Sequence, residues 1–258
     1  MRKRKRHRVK KKKPFFKKRG FRISILFFLI SGLLVYFFAF SQTFQIKEIR
    51  ISGNEKVSSE DLKDTVDTKI EKSFFLSIEN NIFLANLKGI EKTILDKFPQ
   101  VAEAKLKRNL PNTLVLEIRE RAPLAVFCQD SKGCFKIDKE GVAFEESGED
   151  NGLTIFSQKE EELILGKKVI REDYLKSILE IQKSLKGNLK IEIEKFLLFD
   201  DKLSVKTAQG FEIYFDLRGN VSEQILNLDL ILKEKIPPEN RGELQYIDLR
   251  FGDRVFYK

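Results

Sequence analysis

The sequence predicts an α+β fold that is preceded by a single membrane-spanning helix. Three features support this prediction: an uncharged apolar run near the amino terminus, stretches of alternating apolar and polar residues, and helical apolar patterns between them. The chain has 258 residues, 41% hydrophobic and 34% charged, which is enough for one or two folded domains. We expect a basic tail (residues 1–22), a membrane helix (23–43) and two domains (44–121 and 122–258).

The apolar run covers residues 23–40 and contains no charged side chain. Its length corresponds to about 27 Å of helix, close to the roughly 30 Å hydrocarbon core of a bilayer. Aromatic residues gather toward its far end, where they suit the membrane–water interface. A cleaved signal peptide is the alternative, but the run is long and aromatic, and no small-x-small cleavage site follows it. The sequence therefore favours a retained transmembrane helix.

The charge distribution predicts which way this helix crosses the membrane. Residues 2–22 contain 14 Lys or Arg and no Asp or Glu, whereas the rest of the chain has 35 basic and 39 acidic residues. By the positive-inside rule, the tail stays in the cytoplasm and the body is exported. The tail would also contact anionic lipid headgroups. We expect no specific nucleic-acid binding, because no aromatic stacking pattern or binding fold accompanies the basic residues.

The sequence offers little support for an enzyme. His7 is the single histidine and lies in the tail, which excludes a histidine-based triad or histidine metal site in the body. No glycine-rich phosphate loop or G-x-S-x-G motif occurs. Asp200 and Asp201 could be paired carboxylates, but a turn between two strands is the simpler interpretation. Asp138 and Asp248 are interpreted as turn and strand residues, so we expect no catalytic residue, metal, cofactor or small-molecule substrate.

The first exported domain has the predicted order strand, helix, helix, strand, strand. Alternation over residues 48–52 marks the first strand, and Ser58 begins a capped short helix through about Val66. A second helix is expected over roughly residues 82–98, stopped by a proline. The last two strands flank a proline-containing turn at residues 110–112. This order packs two helices against a three-stranded sheet.

The second exported domain is richer in strands. Its predicted elements are a hairpin around residues 129–133, a second turn at 138–141, an amphipathic helix ending near Gly187, strands at 191–199, 203–207 and 211–217, a helix at 221–235, and final strands at 246–251 and 254–257.

Cys128 and Cys134 are the two cysteines of the chain, and they bracket the loop of the first hairpin. Two cysteines are too few for a disulfide scaffold, and their spacing fits no common zinc pattern. Directly opposed strand residues have Cβ atoms about 4.5–5.5 Å apart, so the two side chains would face one another. A candidate disulfide formed after export and a pair of free thiols both fit this arrangement.

Several segments resemble, in matching order, the FtsQ/DivIB family of bacterial cell-division proteins. They are FQIKEIRISGN with VSSEDL, FPQVAEAKLKR, NLPNTLVLEIRERAPLA, FKIDKEGVAF, IYFDLRGN and YIDLRF. The first of these, up to the Glu-Arg-x-Pro motif at residues 120–123, resemble the family's POTRA domain, and the remainder resemble its carboxy-terminal β domain. The resemblance implies a POTRA domain (β-α-α-β-β) followed by a mixed β-sheet domain with flanking helices.

The resemblance also implies a non-catalytic scaffold of the cell (inner) membrane that is enriched at the division septum. Proteins of this family link FtsB/DivIC-like and FtsL-like bitopic partners and help to regulate septal peptidoglycan synthesis. A partner would add a strand to the edge of the terminal sheet. The implied partner-binding residues are Arg250, Phe251 and, more weakly, Arg218, together with Tyr246, Leu249, Val255 and Phe256 of the last strand pair. Core packing is the alternative for Tyr246, Leu249 and Phe251, because only one face of a strand meets a partner.

A different function remains open at this point. The chain could be a membrane-anchored POTRA protein that assists the assembly or export of envelope proteins. Outer-membrane transporters place such domains before a large β barrel. About 137 residues follow Arg121, and they include predicted helices, which disfavours a lipid-facing barrel.

We expect reporters that work only outside the cytoplasm to be active when fused to the carboxy terminus and silent when fused to the amino terminus. The reason is the concentration of positive charge ahead of residue 23. Paired alkaline phosphatase and green fluorescent protein fusions would measure this. Phosphatase activity at the amino terminus would contradict the predicted orientation.

Overall fold

A computed structural model describes residues 19–71, 80–129, 133–148, 152–159 and 162–258. The predictions for residues 1–18 of the basic tail and for the centre of the 129–133 loop lie outside the described residues. The described residues fall into two compact units, those within Met1–Ser52, Lys63–Ile90 and Lys105–Glu117, and those within Gly53–Leu62, Glu91–Ala104 and Ile118–Lys258.

Helix α1 covers Arg19–Phe40 and begins slightly before the predicted span. Among the described residues, its segment Gly20–Phe40 is the one helix that is long and apolar enough to cross a membrane. Large apolar side chains project from all sides of this helix and remain exposed, as expected for a helix surrounded by lipid. The helix fits a single-pass membrane protein. A short 3-10 turn, Gln42–Phe44, then leads into the first strand.

The next elements form the predicted β-α-α-β-β domain. They are β1 (Glu48–Ser52), α2 (Ser59–Glu71), α3 (Leu87–Lys97), β2 (Val101–Asn109) and β3 (Thr113–Glu120). The three strands lie in the order β1-β3-β2, and β1 runs parallel to β3. Ser58 caps α2 as predicted, because its hydroxyl accepts hydrogen bonds from the N–H groups of Glu60 and Asp61 at 3.2 and 3.4 Å.

Helix α3 does not begin near residue 82, so that prediction was wrong. Asn86 sets the start instead, because its side-chain oxygen accepts a hydrogen bond from the Gly89 N–H at 3.0 Å. The carbonyl oxygens of Ile82 and Ala85, which precede Asn86, accept hydrogen bonds from the Arg108 guanidinium at 2.5 and 2.8 Å. An earlier helix would need these carbonyls for its own backbone bonds. Helix α2 also differs from the prediction, because it runs beyond Val66.

The second domain is built on a nine-stranded mixed sheet. Its elements are β4 (Ala125–Gln129), β5 (Gly133–Ile137), β6 (Ala143–Ser147), β7 (Thr154–Ser157), α4 (Glu172–Gly187), β8 (Ile193–Leu198), β9 (Lys202–Thr207), β10 (Glu212–Asp216), α5 (Val221–Glu234), β11 (Tyr246–Phe251) and β12 (Arg254–Tyr257). The strand order is β12-β11-β10-β9-β8-β7-β4-β5-β6. Three pairs are parallel, namely β4–β7, β7–β8 and β10–β11. The predicted α+β class with a mixed sheet is therefore confirmed.

Helices α4 and α5 each connect two parallel strands of this sheet. Helix α4 links β7 to β8, and α5 links β10 to β11. Their apolar residues share one buried cluster with inward-facing residues of the strands, including Ile178, Leu228, Phe215 and Ile247. Strand β7 was not predicted. Its last three residues are buried, so it lacks the alternation that marks a half-exposed strand.

Cys128 on β4 lies directly opposite Cys134 on β5, which confirms that the two residues face one another. Their Cα atoms are 4.0 Å apart, and the sulfur atoms are joined in a disulfide. Cys128 is buried and packs with Val126 and Phe156 in a small apolar cluster. The bridge therefore closes the β4–β5 hairpin beside buried side chains.

Two adjacent residues at the end of β3 organise the second unit. The Glu120 carboxylate accepts hydrogen bonds from the N–H groups of Glu55, Lys56 and Val57 at 2.8–3.0 Å. Burial alone would raise the pKa of Glu120, but the three backbone donors outweigh it and hold this pKa below its ordinary value of 4.5. The carboxylate thus holds the loop that precedes α2.

The next residue, Arg121, contacts two other segments of the second unit. Its guanidinium donates to the Pro99 carbonyl at 3.1 Å and forms an ion pair with Asp138. The Arg121 and Asp138 side chains are 11% and 6% exposed, so this pair is largely shielded from water. Asp138 also accepts hydrogen bonds from the Glu140 and Val142 N–H groups, which confirms that it is a turn residue.

We expect Glu120→Gln to lower the free energy of unfolding by about 1–3 kcal/mol at pH 7, because an amide cannot accept all of these backbone bonds. The folded-state pKa of Glu120 lies below its unfolded value, so its stabilising effect is present above pH 4.5 and is lost as the pH falls through the folded pKa. Denaturant titrations from pH 7 to 3 should therefore show the variant and the parent converging. Glu117→Gln is the control, because within the described residues the Glu117 carboxylate makes an exposed ion pair with Lys107 and no backbone contact of the Glu120 kind. Equal losses for both variants would contradict the role of Glu120.

Candidate partner-binding edge of the large sheet

Strand β12 forms one end of the nine-stranded sheet and, within the described part of the chain, pairs only with β11. Just beyond it, Lys258 exchanges two backbone hydrogen bonds with Tyr246, at 3.2 and 3.3 Å. Because bonded and non-bonded residues alternate along an antiparallel pair, the backbone groups of Val255 and Tyr257 point away from β11. These groups form an open edge that another strand can join.

Two exposed aromatic rings stand beside this edge. Phe251 and Phe256 are 54% and 49% exposed, and their ring centroids are 5.2 Å apart in an edge-to-face arrangement. The register of β11 and β12 shifts between Asp248 and Phe251, which indicates a bulge at this point. Asn227 of α5 donates a hydrogen bond to the Gly252 carbonyl at 3.1 Å and thereby steadies the turn. The turn residue Gly252 has a φ of 67°, which glycine adopts without strain.

Arg250 is held in place by its own strand. Its guanidinium donates two hydrogen bonds to the Asp248 carboxylate, at 2.8 and 2.6 Å. The hydrogen bond to Asp248 raises the pKa of Arg250, although partial burial opposes this shift. The guanidinium carbon lies 5.6 Å from the ring centroids of Tyr214 and Phe251. The pair with Asp248 uses two of the five N–H donors of the guanidinium and fixes its plane.

The structure brings most of the predicted partner-binding residues together. Tyr246, Arg250, Phe251 and Phe256 lie on the last two strands with at least part of each side chain accessible. Val255 supplies outward backbone groups, while its partly buried side chain packs against the core. These five residues form the edge cluster.

Two predicted residues do not join the edge cluster. The Leu249 side chain is 1% exposed and belongs to the hydrophobic core, so the prediction that it contacts a partner is corrected to core packing. Arg218 lies after β10, where its guanidinium pairs with Asp201 and with Asp216. Asp201 and its neighbour Asp200 lie in the turn between β8 and β9, as the simpler interpretation of this acidic pair expected.

Sequence reasoning missed two contributors to this surface. The Tyr214 ring stacks on Tyr246 at 5.8 Å between centroids, and burial raises the pKa of the Tyr214 hydroxyl, with Glu212 adding to the effect. Asp248 was recognised only as a strand residue, yet it orients Arg250. The alternation of β10 could have indicated Tyr214, since its neighbours Ile213 and Phe215 face the core.

These features define a POTRA-domain protein with one apolar amino-terminal helix and a mixed β-sheet domain. Residues 44–121 match the family described as "POTRA domain, FtsQ-type". The chain is 27% identical over 265 residues to the cell division protein DivIB of Clostridium botulinum strain Hall, covering 97% of this chain and 94% of the relative. It is 24% identical over 228 residues to the cell division protein FtsQ of Syntrophotalea carbinolica, covering 84% and 75%.

A further relative is DivIB of Clostridium tetani, at 27% identity over 158 residues, where the match spans 58% of this chain and 56% of that protein. The chain is therefore similar to FtsQ and DivIB cell-division proteins over most of its length, and residues 44–121 carry the FtsQ-type POTRA match. All three relatives are named as cell division proteins, which supports a role for this protein in cell division.

Proposed function

We propose that this protein is a membrane-anchored scaffold of the division machinery that acts by binding other proteins rather than by catalysis. Helix α1 would hold it in the cell membrane, with the tail in the cytoplasm and the two domains outside. The observation that carries the proposal is the open β12 edge, since an unpaired edge is a template for a strand from another chain. The family's division role makes this the favoured alternative over assembly or export of envelope proteins.

The edge cluster and the neighbouring Tyr257 offer two kinds of contact to such a strand. The outward backbone groups of Val255 and Tyr257 supply ladder hydrogen bonds, each contributing about 0.5–1.5 kcal/mol net. Phe251, Phe256 and Arg250 supply anchors of the residue types that most often dominate binding energy. Because Asp248 holds Arg250 in one orientation, less side-chain entropy is lost when a partner binds.

The family resemblance implies who the partners are. FtsB/DivIC-like and FtsL-like bitopic proteins would place an extracytoplasmic segment along β12, and the complex would help to regulate septal peptidoglycan synthesis. Enrichment at the division septum follows from this assignment. Arg218 remains a predicted secondary contact, which its 67% exposed side chain permits.

We expect Val255→Pro to weaken binding of the FtsB/DivIC-like partner, because proline removes an outward N–H donor and distorts the edge. With one or two ladder bonds lost, the dissociation constant should rise about 3- to 100-fold. Titration of the purified full-length protein in detergent with the partner's extracytoplasmic segment would measure this change.

Val255→Ala is the matched control, since it retains the backbone donor while removing the side chain that packs against the core. Circular dichroism should show that both variants are folded. If the proline variant binds like the parent while the strand pair remains intact, the docking site lies elsewhere, and the β1-β3-β2 sheet becomes the next candidate.

We also expect a charge-dependent loss of affinity at Arg250. Arg250→Glu would place a second carboxylate beside the nearly buried Asp248, so misfolding would mimic loss of binding. Arg250→Gln avoids this repulsion and should lower affinity, and it should also weaken the dependence of affinity on salt. Arg250→Lys preserves the charge and serves as the control for the salt dependence. An unchanged affinity and salt slope in Arg250→Gln would exclude Arg250 from the contact.

A further inference from the structure

A second exposed apolar surface lies in the first unit, beside the outer end of α1. The segment of residues 81–84 packs against this helix and leaves a cleft of about 480 Å³ between them. The cleft is lined by Leu34, Val35, Phe38, Ala39, Asn81, Phe83 and Leu84. Phe83 and Leu84 are 41% and 49% exposed, which is unusual for two adjacent large apolar residues in a folded domain.

The segment is firmly attached to the end of the helix. The Asn81 side-chain amide donates hydrogen bonds to the carbonyl oxygens of Phe38 and Ala39 at 2.8 and 3.0 Å, which satisfies acceptors that the helix end leaves open. Asn81 is itself only 2% exposed. The Ile82 N–H donates to the Phe44 carbonyl at 2.9 Å, so the chain after α1 also holds the segment.

Aromatic packing fixes the direction of Phe83. Its ring centroid lies 5.9 Å from that of Phe38 and 5.2 Å from that of Phe44. The neighbouring Ile82 side chain is fully buried, so the segment cannot turn Phe83 inward without exposing Ile82. The exposed position of the Phe83 ring is therefore fixed by packing and does not result from fraying of the segment.

The position of the cleft along α1 identifies what covers it. Leu34 lies about 9 Å inward from Phe40 along the helix axis, at 1.5 Å per residue. A helix that spans a bilayer places this stretch below the level of the headgroups. Among the described residues of the lining, Asn81 is the one polar residue, and its amide hydrogens are already bonded to helix carbonyls, so water would find few partners there.

We propose that Phe83 and Leu84 enter the bilayer beside the outer end of α1 and that lipid acyl chains of that leaflet fill the cleft. The protein would then contact the membrane at two places, through the helix and through a folded segment of its POTRA domain. This inference is independent of the β12 edge and rests on α1 spanning the membrane.

The chain contains no tryptophan, so Phe83→Trp creates a single fluorescent reporter. The full-length variant would be reconstituted into vesicles of phosphatidylcholine and phosphatidylglycerol, with or without bromine atoms on the acyl chains. Bromine quenches only tryptophans that touch the chains. We expect a blue-shifted emission that brominated lipid strongly reduces, with bromines near the headgroups quenching more than bromines near the chain ends.

Leu33→Trp on the exposed surface of α1 is the positive control, and Ser52→Trp at the far end of β1 is the negative control. Leu84→Trp provides a second reporter should Phe83→Trp fail to fold, as judged by its circular dichroism spectrum. Emission from both reporters that matches Ser52→Trp, with Leu33→Trp quenched, would overturn the proposal. A blue shift that disappears as lipid is added in excess would assign the cleft to a second copy of the chain, and would also overturn it.

Discussion

The second unit depends on the placement of two opposite charges on neighbouring residues, Glu120 and Arg121. Glu120 is the last residue of β3 and Arg121 follows it, and the carboxylate and the guanidinium reach different parts of the chain. Glu120 binds three consecutive N–H groups before α2, and Arg121 binds the Pro99 carbonyl and the Asp138 carboxylate. Removing either side chain would deprive several polar groups of their partners at once, at a cost of about 1–3 kcal/mol for each group that stays buried.

The order of elements after this point explains why the open edge lies where it does. The β10-α5-β11 crossover carries the chain over the sheet, and β12 then folds back on β11 as the last strand. The same helix α5 supplies Asn227, which holds the turn between β11 and β12. The β11–β12 pair therefore packs against the hydrophobic core on one face, and helix α5 holds its turn. Such support keeps the backbone groups of the edge aligned for pairing.

Much of this architecture could be predicted, because strong local signals mark it. The bounds of β11 and β12 follow from alternation and from the Gly252 turn, and Ser58 and Pro99 mark helix ends through capping and the missing N–H of proline. Strand β7 escaped prediction because a short strand buried on both faces carries no period. Sequence alone also could not separate Leu249 from Phe251, because a regular strand would place both side chains on one face. The register of β11 shifts between Asp248 and Phe251, and Phe251 is exposed while Leu249 is buried.

The start of α3 was misplaced for a different reason. Residues 82–84 are apolar and continue a helical pattern, but they do not share one buried face. The Ile82 side chain lies in the domain interior, whereas Phe83 and Leu84 lie on its exterior. A periodic pattern of apolar residues does not distinguish side chains that are buried from side chains that are exposed. A long-range contact from Arg108 then decides the backbone conformation, and such contacts are invisible to local patterns.

The shortness of β12 has a kinetic consequence. With outward groups on two residues, a paired strand gains at most four backbone bonds, or about 2–6 kcal/mol, and about 4 kcal/mol corresponds to a millimolar dissociation constant. Complexes held by the backbone alone would thus have brief residence times. Partners anchored in the same bilayer, however, meet at a high local concentration, which compensates for weak pairing. An edge of this length therefore suits an assembly that is stable as a whole while its individual members can still dissociate and rebind.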